Sequence, residues 1–144
     1  MKLKYPIIFI ESPTEHDHGV IFNGINAFAV SLRLDATAGS YFFAVYDDTN
    51  TMRAALSGFD NFGVAEIGGL WIDEAFRGQG YGTALVQQAE GWAQNKGCSG
   101  ITVFTLKEWP AYAWYRSLGF TVEFERTGHA NNMTGCYLAK KLQA

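Results

Sequence analysis

The feature that most constrains this chain is a glycine-spaced turn between an apolar run and an amphipathic segment. The run Val64–Ile72 leads through Asp73 and Glu74 to Arg77, Gly78, Gln79, Gly80, Tyr81, Gly82 and Thr83. Beyond the turn, Tyr81, Leu85, Ala89 and Trp92 share one helical face, and Gly97 stands where a helix C-terminal glycine belongs. Residues 101–106 are again β-rich. Strand, helix and strand at this spacing make a crossover, the connection that parallel strands need. Free N–H groups and the positive dipole end at such a helix start favour an anion, phosphate above all. Inside the first run, Gly68-Gly69 predicts a bulge or a close approach to the backbone.

The remaining segments extend this unit. Residues 7–10 read as a strand. Ser12-Pro13-Thr14-Glu15 reads as a helix start with Ser12 as N-cap, and Ile21, Ile25, Phe28 and Leu32 keep helical spacing until the polar residues around Gly39. Residues 41–46 and 52–59 form a hairpin across Asp47-Asp48-Thr49-Asn50. Residues 109–118 are an aromatic helix closed by Gly119, and 120–126 with 133–142 form a terminal antiparallel pair. The expected class is α/β, one domain over residues 1–144, with a mixed sheet of six to seven strands flanked by three to four helices.

Composition narrows the function classes. With 144 residues, 48% hydrophobic and 15% aromatic, the chain can bury a core and is not disordered. The net charge is −3 and no basic cluster exceeds Lys140-Lys141, so no nucleic-acid partner is expected. No apolar run approaches the ~20 residues of a membrane span. The stretch 5–10 is too short for a signal-peptide core, so a cytoplasmic location without membrane attachment is expected. Cys98 and Cys136 lack metal or scaffold spacing and are expected as reduced thiols. His16 and His18, two residues apart, fall on different helical faces, so no metal is expected.

Neither a dinucleotide fingerprint nor a P-loop fits the glycine turn: the third glycine comes one residue early, and no Gly-Lys-Ser/Thr follows. Arg77, Gly80 and Gly82 instead fill the pattern Arg/Gln, two residues, Gly, any residue, Gly/Ala. Upstream stand Leu70, Trp71, Ile72, Asp73 and Glu74; downstream come Trp114, Tyr115, Arg116, Ser117, Leu118, Gly119 and Phe120. Together these residues resemble the acyl-CoA site of the GNAT superfamily of N-acetyltransferases, in its small single-domain bacterial form. Gly128-His129 resembles a turn found in some small members. The resemblance implies a GNAT-like fold and acetyl-CoA as co-substrate. It further implies transfer of the acetyl group to a primary amine by direct attack in a ternary complex, and a homodimer. The cofactor-binding residues it implies are Leu70, Trp71, Ile72, Arg77, Gly78, Gln79, Gly80, Tyr81, Gly82 and Thr83.

Such a transfer needs a held thioester, a neutral amine, a stabilised carbonyl oxygen and a protonated leaving thiolate. Backbone N–H groups near Leu70, freed by the Gly68-Gly69 bulge, suit the carbonyl oxygen. Tyr115 occupies the family's tyrosine position and is the candidate general acid, a phenol of unperturbed pKa ~10 facing a thiolate near ~8.5; its other reading is a packed core aromatic. Glu66 is the candidate base for the amine proton, and its other reading is a solvated strand glutamate. Asp73 and Glu74 read as turn and capping residues, and His129 as a turn residue or an acceptor contact. Trp71, Trp109 and Trp114 read as core, Cys98 has no activating neighbour in sequence, and Pro110 stands where a polar residue is usual. The rival to an enzyme is a non-catalytic acyl-CoA or CoA-binding module, a sensor or partner domain, separated from it by turnover. The negative charge suits cationic acceptors such as polyamines, aminoglycosides or peptide amines, without selecting one.

Overall fold

The computed structural model describes residues 2–34 and 37–142. They fall into two compact units, Met1–Thr37 and Ala38–Ala144.

In the first unit, helix α1 (Glu15–Ser31) begins at Thr14. Thr14 Oγ1 accepts from Asp17 N at 3.1 Å, and Asp17 Oδ2 accepts from Thr14 N at 2.8 Å, a reciprocal capping box. The expected cap at Ser12 is therefore displaced by two residues. Both Ser12 and Thr14 are followed three positions on by an acid, but the side-chain bonds form at the second pair. Residues 7–10, expected as a strand, belong to no ladder among the described residues, and Ile7, Ile8, Phe9 and Ile10 are exposed.

The second unit holds a six-stranded sheet: β1 (Ser40–Tyr46), β2 (Met52–Asp60), β3 (Val64–Ile72), β4 (Gly100–Leu106), β5 (Thr121–Arg126) and β6 (Gly135–Lys141), in the order β1-β2-β3-β4-β6-β5. Helices α2 (Tyr81–Asn95) and α3 (Pro110–Ser117) complete it. The β3-α2-β4 crossover is parallel, as its length requires, and every other pairing is antiparallel. The last strand lies between β4 and β5, starting at Gly135 after a short turn of 3-10 helix at Ala130–Asn132.

Alternation sorts each strand into two faces. Ala54 and Leu56 of β2, Ala65 and Ile67 of β3, Ile101 and Val103 of β4 and Leu138 of β6 turn toward Leu85, Val86, Ala89 and Ala93 of α2, forming the core. At one end of it Asp60, 1% exposed, accepts from Gly39 N at 2.7 Å and pairs with Lys96. A buried carboxylate is tolerated because both partners are present. Nothing in the sequence singled this pair out.

Two irregularities of β3 prepare the site. Ser57 of β2 pairs with Gly69 and Gly58 pairs with Ile67, so Gly68 is the extra residue of the expected bulge. Pairing with β4 ends at Ile67 and Val103, while β3 runs on to Ile72 and β4 to Leu106. The backbone groups of residues 68–72 that face away from β2 therefore have no ladder partner among the described residues.

Candidate active site

The end of β3 beyond its pairing with β4, the loop after it and the starts of α2 and α3 border a cleft of about 570 Å³. Its lining brings together Leu70, Trp71, Ile72, Arg77, Gly78, Gly80, Tyr81, Gly82, Thr83 and Tyr115, nearly the whole set expected from sequence. A second concavity of about 690 Å³ lies at the far end of the sheet, lined by residues such as Val64, Thr102, Thr121 and Lys141, and contains none of them.

The floor of the cleft is the start of α2. Its N-cap, Gly80, has φ +92° and makes no side-chain cap, so the first N–H groups of the helix remain open. Gly78 (φ +73°) and Gly80 sit in the left-handed region that glycine adopts without strain. Gly82 is small for another reason: a Cβ there would stand 3.0 Å from Trp114 Cζ2. Through that contact α3 approaches the loop closely.

The loop itself is braced from behind. Asp73 accepts from Ala75 N at 2.9 Å and from Arg53 Nη1 at 3.0 Å, and these bonds hold its carboxyl below the usual range. It is the turn and capping residue expected. Arg53 also donates to Asp47 at 2.7 Å, tying the β1–β2 turn to the loop. Arg77 Nε donates to Ile72 O at 3.0 Å, which leaves the rest of the guanidinium at the cleft. Gln79, expected at the cofactor, braces the loop with its side chain: Nε2 donates to Ala75 O at 3.0 Å, and the residue is absent from the lining.

Tyr115 closes the cleft from α3. It is 5% exposed and packs on Trp114 and Phe120, with ring centroids 4.9 and 5.5 Å away, yet it borders the cavity. Tyr115 is thus a packed core aromatic that also faces the cleft. Burial pushes its phenol up to about 12, so the hydroxyl keeps its proton at neutral pH.

Glu66 lies outside the lining. It stands on the sheet face opposite the core, alternating with buried Ala65 and Ile67, and accepts from Asn61 Nδ2 at 3.4 Å. Trp71 and Trp109, expected as core, are 51% and 53% exposed; Trp114 does pack against the core. Phe76, Pro110, Ala111 and Trp114 also line the cleft without having been assigned to it. The usable signal for Trp114 was its position beside Tyr115. His129 packs on the Phe104 ring at 5.4 Å, its Nε2 buried without a partner among the described residues. Both cysteines are buried, which pushes their thiols up and makes them poor nucleophiles.

Among the described residues no helix is long and apolar enough to cross a membrane. Residues 11–120 match the acetyltransferase (GNAT) family. A candidate acetyltransferase from Agrobacterium tumefaciens superposes with TM-score 0.76 at 21% identity, over 96% of this chain and 100% of that one. An acetyltransferase from Bacillus cereus ATCC 14579 gives 0.72 at 23%, over 94% and 98%. An aminoglycoside 6'-N-acetyltransferase complexed with coenzyme A gives 0.64 at 18%, over 73% and 74%. At these identities the likeness is one of fold. No curated protein matches the chain in sequence.

Proposed function

The chain belongs to the GNAT family of acetyltransferases, and on that premise we propose that it moves the acetyl group of acetyl-CoA to a primary amine by direct attack in a ternary complex. The observation that carries this reading is a convergence. An uncapped helix start, an unladdered strand lip and a protonated buried tyrosine border one cleft.

Acetyl-CoA supplies an acetyl group already activated as a thioester. The open N–H groups at the start of α2 and the Arg77 guanidinium hold its pyrophosphate, the first by dipole and hydrogen bonds, the second by charge. The backbone of Leu70, Trp71 and Ile72 offers the pantetheine amides a strand edge. An N–H near Leu70 donates to the thioester oxygen as negative charge gathers there. The Tyr115 hydroxyl donates to the departing sulfur. Desolvation that raises the phenol also raises a thiolate in the same cleft, so their proton affinities stay comparable. Glu66 accepts the amine proton, directly or through water. One C–N bond forms and one C–S bond breaks, with the amine proton to Glu66 and the phenol proton to sulfur.

The test is release of free thiol from acetyl-CoA by the purified protein over a panel of primary amines. Amine-dependent release is expected, and Tyr115→Phe should lower it ~100-fold, within the range of general acid–base contributions, while CoA still raises Tm. Stabilisation by CoA with no amine accelerating release would leave a binding module and remove the enzyme. Glu66→Gln should lower release at least ~10-fold below the pKa of the amine; an unchanged rate would strip Glu66 of the base role.

A further inference from the structure

Gly68 and Gly69 are glycines that the fold does not require. Neither has a left-handed φ. A Cβ on Gly69 would meet only Ser57 Oγ at 3.7 Å, and one on Gly68 would meet Ser57 O at 3.6 Å and Gly58 Cα at 4.0 Å, all ordinary contacts. Glycine inside a strand weakens it, so two in succession without a steric reason mark a place where something else approaches the backbone.

Register shows what the missing side chain leaves. Gly69 pairs with Ser57, which alternates with buried Leu56 and faces away from the core. On that same face Glu66 precedes the bulge and Trp71 follows Gly69 by two residues. Gly69 is thus the bare middle of a row. At ~3.3 Å per residue, Glu66 and Trp71 stand roughly 13 Å apart along the strand with no side chain between them. Ser57 walls the notch from β2, and on the β4 side it is open, because the ladder has ended at Ile67. Leu70, on the lip of the cleft, is the next residue.

We infer that this notch selects the acceptor: an unbranched, cationic alkyl amine whose amine-bearing carbon carries no carboxylate and no side branch. The inference rests on the acetyl-transfer reading above and deepens it. A methylene chain fits where one side chain is missing; a branch at the amine-bearing carbon meets Ser57. The Glu66 carboxylate, held among the described residues by the long contact to Asn61, attracts an ammonium and repels an acid beside it. The exposed Trp71 indole borders the other end of the row. Ser57 Oγ adds a hydrogen-bonding group at the wall. Net charge alone did not separate these acceptors from others.

The experiment measures kcat/KM by thiol release with n-butylamine and cadaverine against isopropylamine and alanine. The unbranched amines should exceed the other two at least ~10-fold, and Gly69→Ala should erase most of that advantage. Ser57→Leu, filling the notch from β2, gives a second variant should Gly69→Ala fail to fold; CoA-dependent stabilisation reports folding in both. Preference for isopropylamine or alanine, or filled variants that keep the wild-type ratio, overturns the notch while leaving acetyl transfer intact. No release with any amine overturns both.

Discussion

Helix α1 starts with two backbone donors already engaged, Thr14 and Asp17 each accepting from the other's backbone. Helix α2 starts at Gly80, which has no side chain to do the same. Both starts face the same electrostatic problem, several N–H groups without intrahelical partners and a partial positive charge. One answer is internal and serves stability. The other is withheld, which leaves that start without a side-chain cap. Where a chain leaves backbone groups open at a cleft, as at α2 and at residues 68–72, binding chemistry becomes available.

The contrast can be broken most forcefully by giving α2 the kind of cap α1 has. Aspartate tolerates left-handed backbone better than most residues, so Gly80→Asp should leave the fold in place. Its carboxylate beside the open N–H groups should weaken CoA binding at least ~100-fold by like-charge repulsion, read by isothermal titration. Unchanged affinity would mean that the pyrophosphate sits elsewhere. Arg77→Ala should cost about 10-fold in CoA affinity by removing a charge-assisted partner. That loss should shrink in high salt, because the interaction is partly exposed.

The converse change, Thr14→Ala, removes the internal cap. It should destabilise the first turn of α1 by about 1 kcal/mol, seen as roughly fivefold faster hydrogen exchange there. CoA affinity should not follow. A matching loss of CoA binding would end the distinction between the two helix starts.

A last effect concerns the wall that the open start faces. Tyr115 has a folded pKa raised to about 12 from 10.0. Below pH 10 the phenol is protonated in both states. Between 10 and 12 the unfolded chain loses the proton while the folded one keeps it, so stability falls as pH rises through that window. Thermal melts should show the decline, shallower in Tyr115→Phe but still present, since burial raises Tyr41 as well.

Local signals were legible where one residue type has one physical use. Left-handed glycines, a helix period and a bulge at Gly68 could be read from the string, and with them most of the cleft lining. The direction of the Gln79 side chain was not legible, because a loop residue beside two glycines can face outward or fold back onto the loop, as its bond to Ala75 O shows. Trp71 was misassigned because the bulge resets strand parity, turning it outward. The α1 cap slipped by two residues because the chain offers two capping boxes in succession. Residues 7–10 are apolar enough for a strand, but strandness needs a partner, and propensity does not supply one.

From the sequence alone came the crossover, the glycine turn at a helix start and the family, because these depend on spacing within a few dozen residues. The tertiary structure decided the rest. It parted β3 from β4 after Ile67, set Tyr115 both in the core and on the cleft, and placed Glu66 and Trp71 on one face with an empty position between them. Those outcomes depend on register and packing between distant segments, which no local pattern encodes.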